Sequence, residues 1–395
     1  MIPRTFVEFR AGKIQDPIKR LQYLQQKLGT DANEQIPRPR NRRKVTLVGL
    51  GLLLPIIGLS GYKHASEPKE QTLAEMIPSQ VSFTPQAPVV TPAVNVNTFA
   101  NVWLVDKTDE YETYSNGLKI DDHYAVSNQN RLFYPVYRRG AVNATEPEEW
   151  RSEPAGIVYH TTETDQARFE PDQTTVLKRI GKEVLSYVQQ NRSYHFVIDR
   201  FGQVFRIVYE SDLANHAGNS VWADESGVYV NLNSSFLGIA FETQTARSED
   251  VPSANPAQIH SARILTEMLR AKYRILASNC ITHAQVSVNP ANMLIGYHTD
   301  WAGNFPFVEI GLPDNYATPP PSIYTFGFRY DTAFVHATGA RVWQGLAVAD
   351  DRLRNQATAR KMALPQYRSL LQKQYKDVMS TLKAANAAWE KSNAS

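Results

Sequence analysis

The stretch GIVYHTTET, residues 156–164, is apolar up to His160 and polar beyond it. An apolar run with no alternating polar residue belongs in a strand covered on both faces, and here the strand closes on a histidine. The next segments alternate strand and helix. TTVLKRIGKEVLSYVQQN places Val176, Leu177, Ile180, Val184, Leu185 and Val188 at helical spacing. SYHFVIDRFGQVFRIV reads as two strands joined by a tight turn at Arg200 to Gly202, and SSFLGIAFET as another strand. PAQIHSARILTEMLRAKY opens with Pro256 in the first turn of a helix whose apolar face carries Ile259, Leu265, Met268 and Leu269. ILASNCITH is a last strand, and it too ends on a histidine, His283. The order predicts an α/β fold, a mixed central β-sheet flanked by helices.

The chain's 395 residues are 42% hydrophobic and 21% charged, an ordinary globular composition. A net charge of +3, without basic runs interleaved with aromatics, argues against a nucleic-acid surface. Cys280 is the single cysteine, which excludes an intramolecular disulfide and any CxxC metal or redox motif. Set between apolar residues, it reads as buried.

Residues 1–44 are polar and basic. No charge then appears from Val45 through Tyr62, a run whose helix would span about 27 Å, near the lower limit for a bilayer. Arg38, Arg40, Arg42, Arg43 and Lys44 flank it and would keep the N-terminal side in the cytosol. A cleaved signal peptide is the competing reading, but the nearest small-residue site, ending at Ala65, has Lys63 where a small residue is needed. The expectation is an uncleaved transmembrane signal anchor over 45–62. It implies a single pass of a bacterial inner membrane, with the body of the protein on the periplasmic or extracytoplasmic side. Residues 63–98, with Pro68, Pro78, Pro85, Pro88 and Pro92, read as an extended tether. Residues 99–150 look like a β-rich addition, 151–312 the α/β domain, and 313–395 a helical C-terminal extension. Leu370, Leu371, Tyr375, Val378, Met379, Leu382 and Trp389 form an amphipathic stripe in that extension.

His160 and His283 end two strands of one predicted sheet, and His298 and Asp300 follow in the Gly- and aromatic-rich loop IGYHTDWAGNFPF. Two imidazoles and a carboxylate, with one position open to water, make a catalytic zinc site. GIVYHTTET, SYHFVIDRFGQVFRIV, NHAGNS, NSSFLGIAFET and THAQVSVNP…HTDWAGNFPF stand in an order that resembles the zinc-dependent N-acetylmuramoyl-L-alanine amidases. That family includes the bacteriophage lysozyme-type amidases and the peptidoglycan recognition proteins. The resemblance covers residues 150 to 312.

The resemblance implies a Zn2+ cofactor, peptidoglycan as partner, and cleavage between N-acetylmuramic acid and L-alanine of the stem peptide. By position it implies His160, His283 and Asp300 as ligands, with His298 as the alternative third ligand. His298 otherwise stands where the family carries an oxyanion-stabilising lysine. The family's general base is either a glutamate, whose position is Ala240 here, or a tyrosine, which matches Tyr194. Glu242, two residues beyond Ala240 on the same strand face, is a substitute candidate. His195 is expected to face away from Tyr194 and to be structural. His216, with Asn219, is expected to line the substrate groove. A peptidoglycan-binding scaffold of this fold that does not cut is the alternative function. His64, His123, His260 and His336 lie outside the motifs.

Overall fold

The structure, a computed structural model, describes residues 98–131, 133–140, 142, 146–164, 167–245, 254–339 and 342–393, with side chains described up to residue 385. The basic segment, the uncharged run Val45–Tyr62 and almost all of the tether lie outside these residues. Among those described, no helix is long and apolar enough to cross a membrane.

The apolar runs become short strands. Residues 99–150 supply β1 (Leu104–Lys107), β2 (Tyr111–Tyr114), β3 (Lys119–Asp121), β4 (Tyr134–Val136) and most of β5 (Glu149–Arg151). The α/β segment supplies β6 (Gly156–Thr161), β7 (Phe196–Ile198), β8 (Val204–Arg206), β9 (Val221–Ala223), β10 (Val228–Val230), β11 (Phe236–Phe241) and β12 (Cys280–Thr282). The hairpin β13 (Val288–Asn289) and β14 (Leu294–Ile295) follows. Eight strands form one sheet in the order β1-β2-β3-β8-β7-β11-β6-β12. β7, β11, β6 and β12 run parallel to one another, β3 is parallel to β8, and the β7–β8 and β1–β2–β3 pairings are antiparallel. The sheet is therefore mixed, as the sequence predicts.

The β-rich stretch is not an appendage. β3 pairs with β8 and continues the central sheet. Arg131, from the same stretch, is buried and donates to the carbonyls of Glu210, Asp212 and Ser234. Local strand and turn signals carry no information about which distant edge a strand joins.

Two helices cover the sheet. α1 (Thr174–Asn191) packs Val184, Leu185 and Val188 against Val197, Phe205 and Ala240. α2 (Pro256–Tyr273) packs Ala262, Leu265, Met268 and Leu269 against Ile157, Tyr159, Phe196, Ile239 and Cys280 on the opposite face. Both helices have the predicted extents. α2 begins with a reciprocal capping box between Asn255 and Gln258 and has proline in its first turn. Both end at an arginine in the left-handed conformation, Arg192 and Arg274. Cys280 is buried, as expected.

Beyond β12 come α3 (His283–Val286), α4 (Pro321–Phe326), α5 (Thr332–Ala337), α6 (Gln344–Ala359) and α7 (Leu364–Asn393). The C-terminal helices share one apolar cluster with the main domain, in which Phe326, Phe328, Leu346, Leu353, Leu371, Tyr375 and Val378 meet Val221, Val228, Ala284, Val288 and Ile295. Of the predicted stripe, Met379 and Leu382 are partly buried and Leu370 is exposed. The side chain of Trp389 lies outside the described set.

Candidate metal centre

β6 and β12 are adjacent and parallel, with Cys280, Ile281 and Thr282 opposite Ile157, Val158 and Tyr159. One step further along both chains, His283 arrives at the level of His160. The sequence reads His283 as a strand end, whereas it is the first residue of α3, a short helix with a reciprocal cap between Thr282 and Gln285. That helical turn aims the imidazole across at His160, with ring centroids 4.4 Å apart.

Asp300 comes from the loop after β14 and is buried. His283 Nδ1 is 2.9 Å from its Oδ1, and His160 Nδ1 is 3.2 Å from its Oδ2. One ligand-type atom from each of His160, His283 and Asp300 lies within 4.8 Å of the others. His298 is not among these atoms. Its ring stacks on His283 at 4.6 Å and 16°, at the surface, and its backbone N–H donates to Ser287 Oγ. Between the two candidates for third ligand, the geometry brings Asp300 into the cluster and leaves His298 beside it.

Counting protons tests whether a cation fits. Three contacts run in series: the Phe236 carbonyl to His216 Nε2 at 3.2 Å, His216 Nδ1 to His160 Nε2 at 3.1 Å, and His160 Nδ1 to Asp300 Oδ2 at 3.2 Å. Each needs one proton, and two neutral imidazoles carry two. Burial, then His283, pushes His160 down to about 4. Burial and the neighbouring histidines hold His216 well below its ordinary value. Burial alone would raise Asp300, yet His283 and its bonds to both imidazoles keep its carboxylate well below the usual range. The contact between His160 Nδ1 and Asp300 Oδ2 is thus left without a proton, two acceptors facing each other across a gap that a cation would fill. Two imidazoles and a carboxylate around that point are a donor set suited to a zinc ion.

Tyr194 and Trp301 border the cluster, with φ of 63° and 57°, a region that bulky residues seldom adopt and that collects at functional sites. Tyr194 precedes β7 rather than lying in it, so a left-handed turn, not strand alternation, sets it apart from His195. Its ring lies 5.0 Å from that of His160 and packs on the apolar cluster that includes Ala240, the residue opposite His160 in the sheet register. Burial, then the charge of Asp300, raises the pKa of its hydroxyl. His195 is fully buried, accepting from the Gly238 N–H at Nδ1 and facing the Asp212 carbonyl at Nε2.

Glu242 does not join the cluster. It follows β11 on the α1 side, where its carboxylate accepts from the Arg200 N–H at 3.2 Å and sits against Gly181. Burial raises its pKa to about 7. An unfolded glutamate ionises near 4.5, so stability contributed here is present below pH 4.5, falls as pH rises to about 7, and is level above. Glu242→Gln is therefore expected to be more stable than the parent at pH 8, by up to about 3 kcal/mol, and equal to it at pH 4. Urea melts at the two values check this, and equal stability at pH 8 would refute it.

Asn219 is exposed, and its carbonyl accepts from the Val288 N–H. The structure does bring His216 to the site, but against His160 rather than only along a groove. Two further supports are invisible in the sequence. Tyr316 donates its hydroxyl to the Trp301 carbonyl at 2.7 Å, and Trp343 donates Nε1–H to the Ala302 carbonyl at 2.9 Å. Both belong to the C-terminal extension and hold the loop that carries Asp300.

Residues 150–301 match the family model described as N-acetylmuramoyl-L-alanine amidase. No curated protein matches the chain by sequence. Among solved structures the chain is similar to AmpDh3 from Pseudomonas aeruginosa, in complex with anhydromuramic pentapeptide, at 20% identity over 44% of this chain and 63% of that one, with a TM-score of 0.31. AmiD from E. coli, an N-acetylmuramyl-L-alanine amidase in complex with its substrate, is similar at 23% identity over 44% and 63%, with a TM-score of 0.30. LysC, an N-acetylmuramoyl-L-alanine amidase from Clostridium intestinale, is similar at 22% identity over 47% and 93%, with a TM-score of 0.25. The chain thus spans 63% of the length of the first two. It is residues 150–301, rather than the chain as a whole, that are similar to the amidase type 2 family of N-acetylmuramoyl-L-alanine amidases.

Proposed function

We propose that the protein hydrolyses the amide between N-acetylmuramic acid and L-alanine of the peptidoglycan stem peptide, as a zinc-dependent amidase. The observation that carries this reading is the convergence of His160, His283 and Asp300, whose ligand-type atoms lie within 4.8 Å of one another. His160 Nδ1, His283 Nδ1 and the Asp300 carboxylate would hold the metal. Zinc bound there supplies Lewis acidity towards the scissile carbonyl and towards water.

The chain's own groups do the rest. Tyr194, held beside His160 by its left-handed backbone, would hydrogen-bond the attacking water and relay its proton to the L-alanine nitrogen, which leaves as the amine when the C–N bond breaks. Its raised pKa keeps the hydroxyl protonated, so it acts as a hydrogen-bonding relay rather than as a standing base. His298, stacked on His283, donates a ring N–H to the developing oxyanion. The contacts of Glu242 with Arg200 and Gly181 take it out of this scheme. The reading includes an anchor at 45–62 holding the domain on the extracytoplasmic face of the inner membrane. It is supported by the uncharged run and the five basic residues before it, and it suits an immobile polymeric substrate.

Mass spectrometry of purified peptidoglycan treated with the full chain tests the activity. Stem peptides beginning with L-alanine should be released, lost on chelation and restored by zinc. Peptidoglycan that retains the protein but stays intact would replace this reading with that of a non-cutting scaffold. Tyr194→Phe is expected to slow release by about a hundredfold or more with zinc still bound. Undiminished release would remove Tyr194 from the mechanism.

A further inference from the structure

We propose that His216 is a positioning residue for His160: by accepting the Nε2 proton of His160, it fixes the tautomer whose Nδ1 lone pair faces Asp300 and is free to take a metal ion. The inference deepens the zinc reading above and rests on it for the identity of the ion.

The direction of the hydrogen bonds is set at the far end of the series. A backbone carbonyl only accepts, so the Phe236 oxygen, 3.2 Å from His216 Nε2, requires the His216 proton to sit on Nε2. His216 Nδ1 is then an acceptor, and the nitrogen 3.1 Å away, His160 Nε2, must be its donor. The remaining nitrogen of His160, Nδ1, carries no proton and faces the carboxylate. The identity of the ligating atom on β6 is thus dictated by a carbonyl of the neighbouring strand, through the ring of a loop residue.

The ring of His216 is built into its place. Its own N–H and that of Ala217 donate to Asn233 Oδ1 at 2.9 and 2.6 Å, which anchors the loop. The two imidazoles meet edge to face at 85°, with centroids 5.2 Å apart, the arrangement that brings nitrogen to nitrogen. Room for the ring depends on Gly238, since a Cβ there would come within 2.7 Å of His216 Cγ. Metal-bound histidines generally donate their second N–H to such a partner, and loss of that partner lowers metal affinity about 10- to 100-fold.

Three substitutions in the full chain separate the acceptor from mere bulk. His216→Asn keeps an acceptor oxygen where Nδ1 was. His216→Gln places its amide where Nε2 was and offers nothing to His160, and His216→Ala removes both. Zinc affinity, read by competition with a chromogenic chelator, is expected to fall about 10- to 100-fold in the Gln and Ala variants and to be rescued to within a few-fold in Asn. In the unmodified chain, loaded with cadmium-113 and labelled with nitrogen-15 at histidine, the metal should couple to His160 Nδ1 with a proton retained on Nε2. Wild-type zinc affinity in His216→Ala would overturn the proposal, as would coupling through Nε2 or no metal uptake. If the variants do not fold, the coupling in the unmodified chain decides. Neither readout involves peptidoglycan. Failure to release stem peptides, with the metal held through Nδ1, would therefore sink the amidase reading and leave the role of His216 standing.

Discussion

Asp300→Asn should lose zinc binding and peptidoglycan cleavage together while remaining folded. The carboxylate sits where two imidazole nitrogens converge, and the bond series through Phe236, His216 and His160 lacks one proton at that point. An asparagine amide supplies the missing proton by donating to His160 Nδ1, so the metal-free fold gains a hydrogen bond. The same change removes the negative charge that a divalent ion needs. Zinc should raise the melting temperature of the parent, by mass action on the folded state, and leave that of the variant unmoved. A variant that binds zinc as tightly as the parent would show that Asp300 is not a ligand and would return that role to His298.

The second large effect lies away from the site. Arg206, on β8, is 3% exposed and bonds Glu112 at 2.7 Å, Asp122 at 2.6 Å and Glu210 at 2.9 Å. Lys107 pairs with Glu112, and Lys272 with Glu210. Arg206→Met leaves three carboxylates facing one another with too little positive charge among them. Removing one partner from a buried ionic network costs about 3–5 kcal/mol, here a fall in melting temperature of roughly 10 °C. Burial works to raise Glu112, but its bonds to Lys107 and Arg206 hold it down at about 2. Its share of the stability is full above the unfolded value near 4.5 and is lost as pH falls towards 2. Asp122, raised by burial despite Arg206, contributes with the opposite sign. Calorimetry at pH 7 is the check, and a variant within about 1 kcal/mol of the parent would show the network to be dispensable.

What the sequence discloses here is what is local or ordered along the chain. The helices Thr174–Asn191 and Pro256–Tyr273 carry their own periodicity, proline and capping residues, and they were legible to the residue. The meeting of His160 and His283 was legible because adjacent parallel strands deliver corresponding ends to one edge, although His283 stands one residue past its strand. The joining of 99–150 to the central sheet was not, because β3 meets β8 some 80 residues later through backbone bonds that any side chain permits. Arg206 reads in the sequence as one more charged residue of an alternating strand. Its three carboxylates come from two separate stretches and gather only in the folded chain. The two-residue step from Ala240 to Glu242 gave the right face of the strand but not the neighbour, because the turn at Arg200 and Gly181 of α1 capture the carboxylate before it reaches the site.

The clamps on the Asp300 loop have a consequence for how the protein comes into being. Ribosomal synthesis delivers His160, His283 and Asp300 before Tyr316 and well before Trp343. The groups that fasten Trp301 and Ala302 are thus made after the Asp300 loop they steady. The apolar cluster that seats Trp343 draws on Leu346, Leu353, Leu371 and Tyr375, later still. A growing chain therefore holds His160, His283 and Asp300 before it holds the groups that fasten the Asp300 loop. Fastening of the loop that carries Asp300 thus waits on segments made after it.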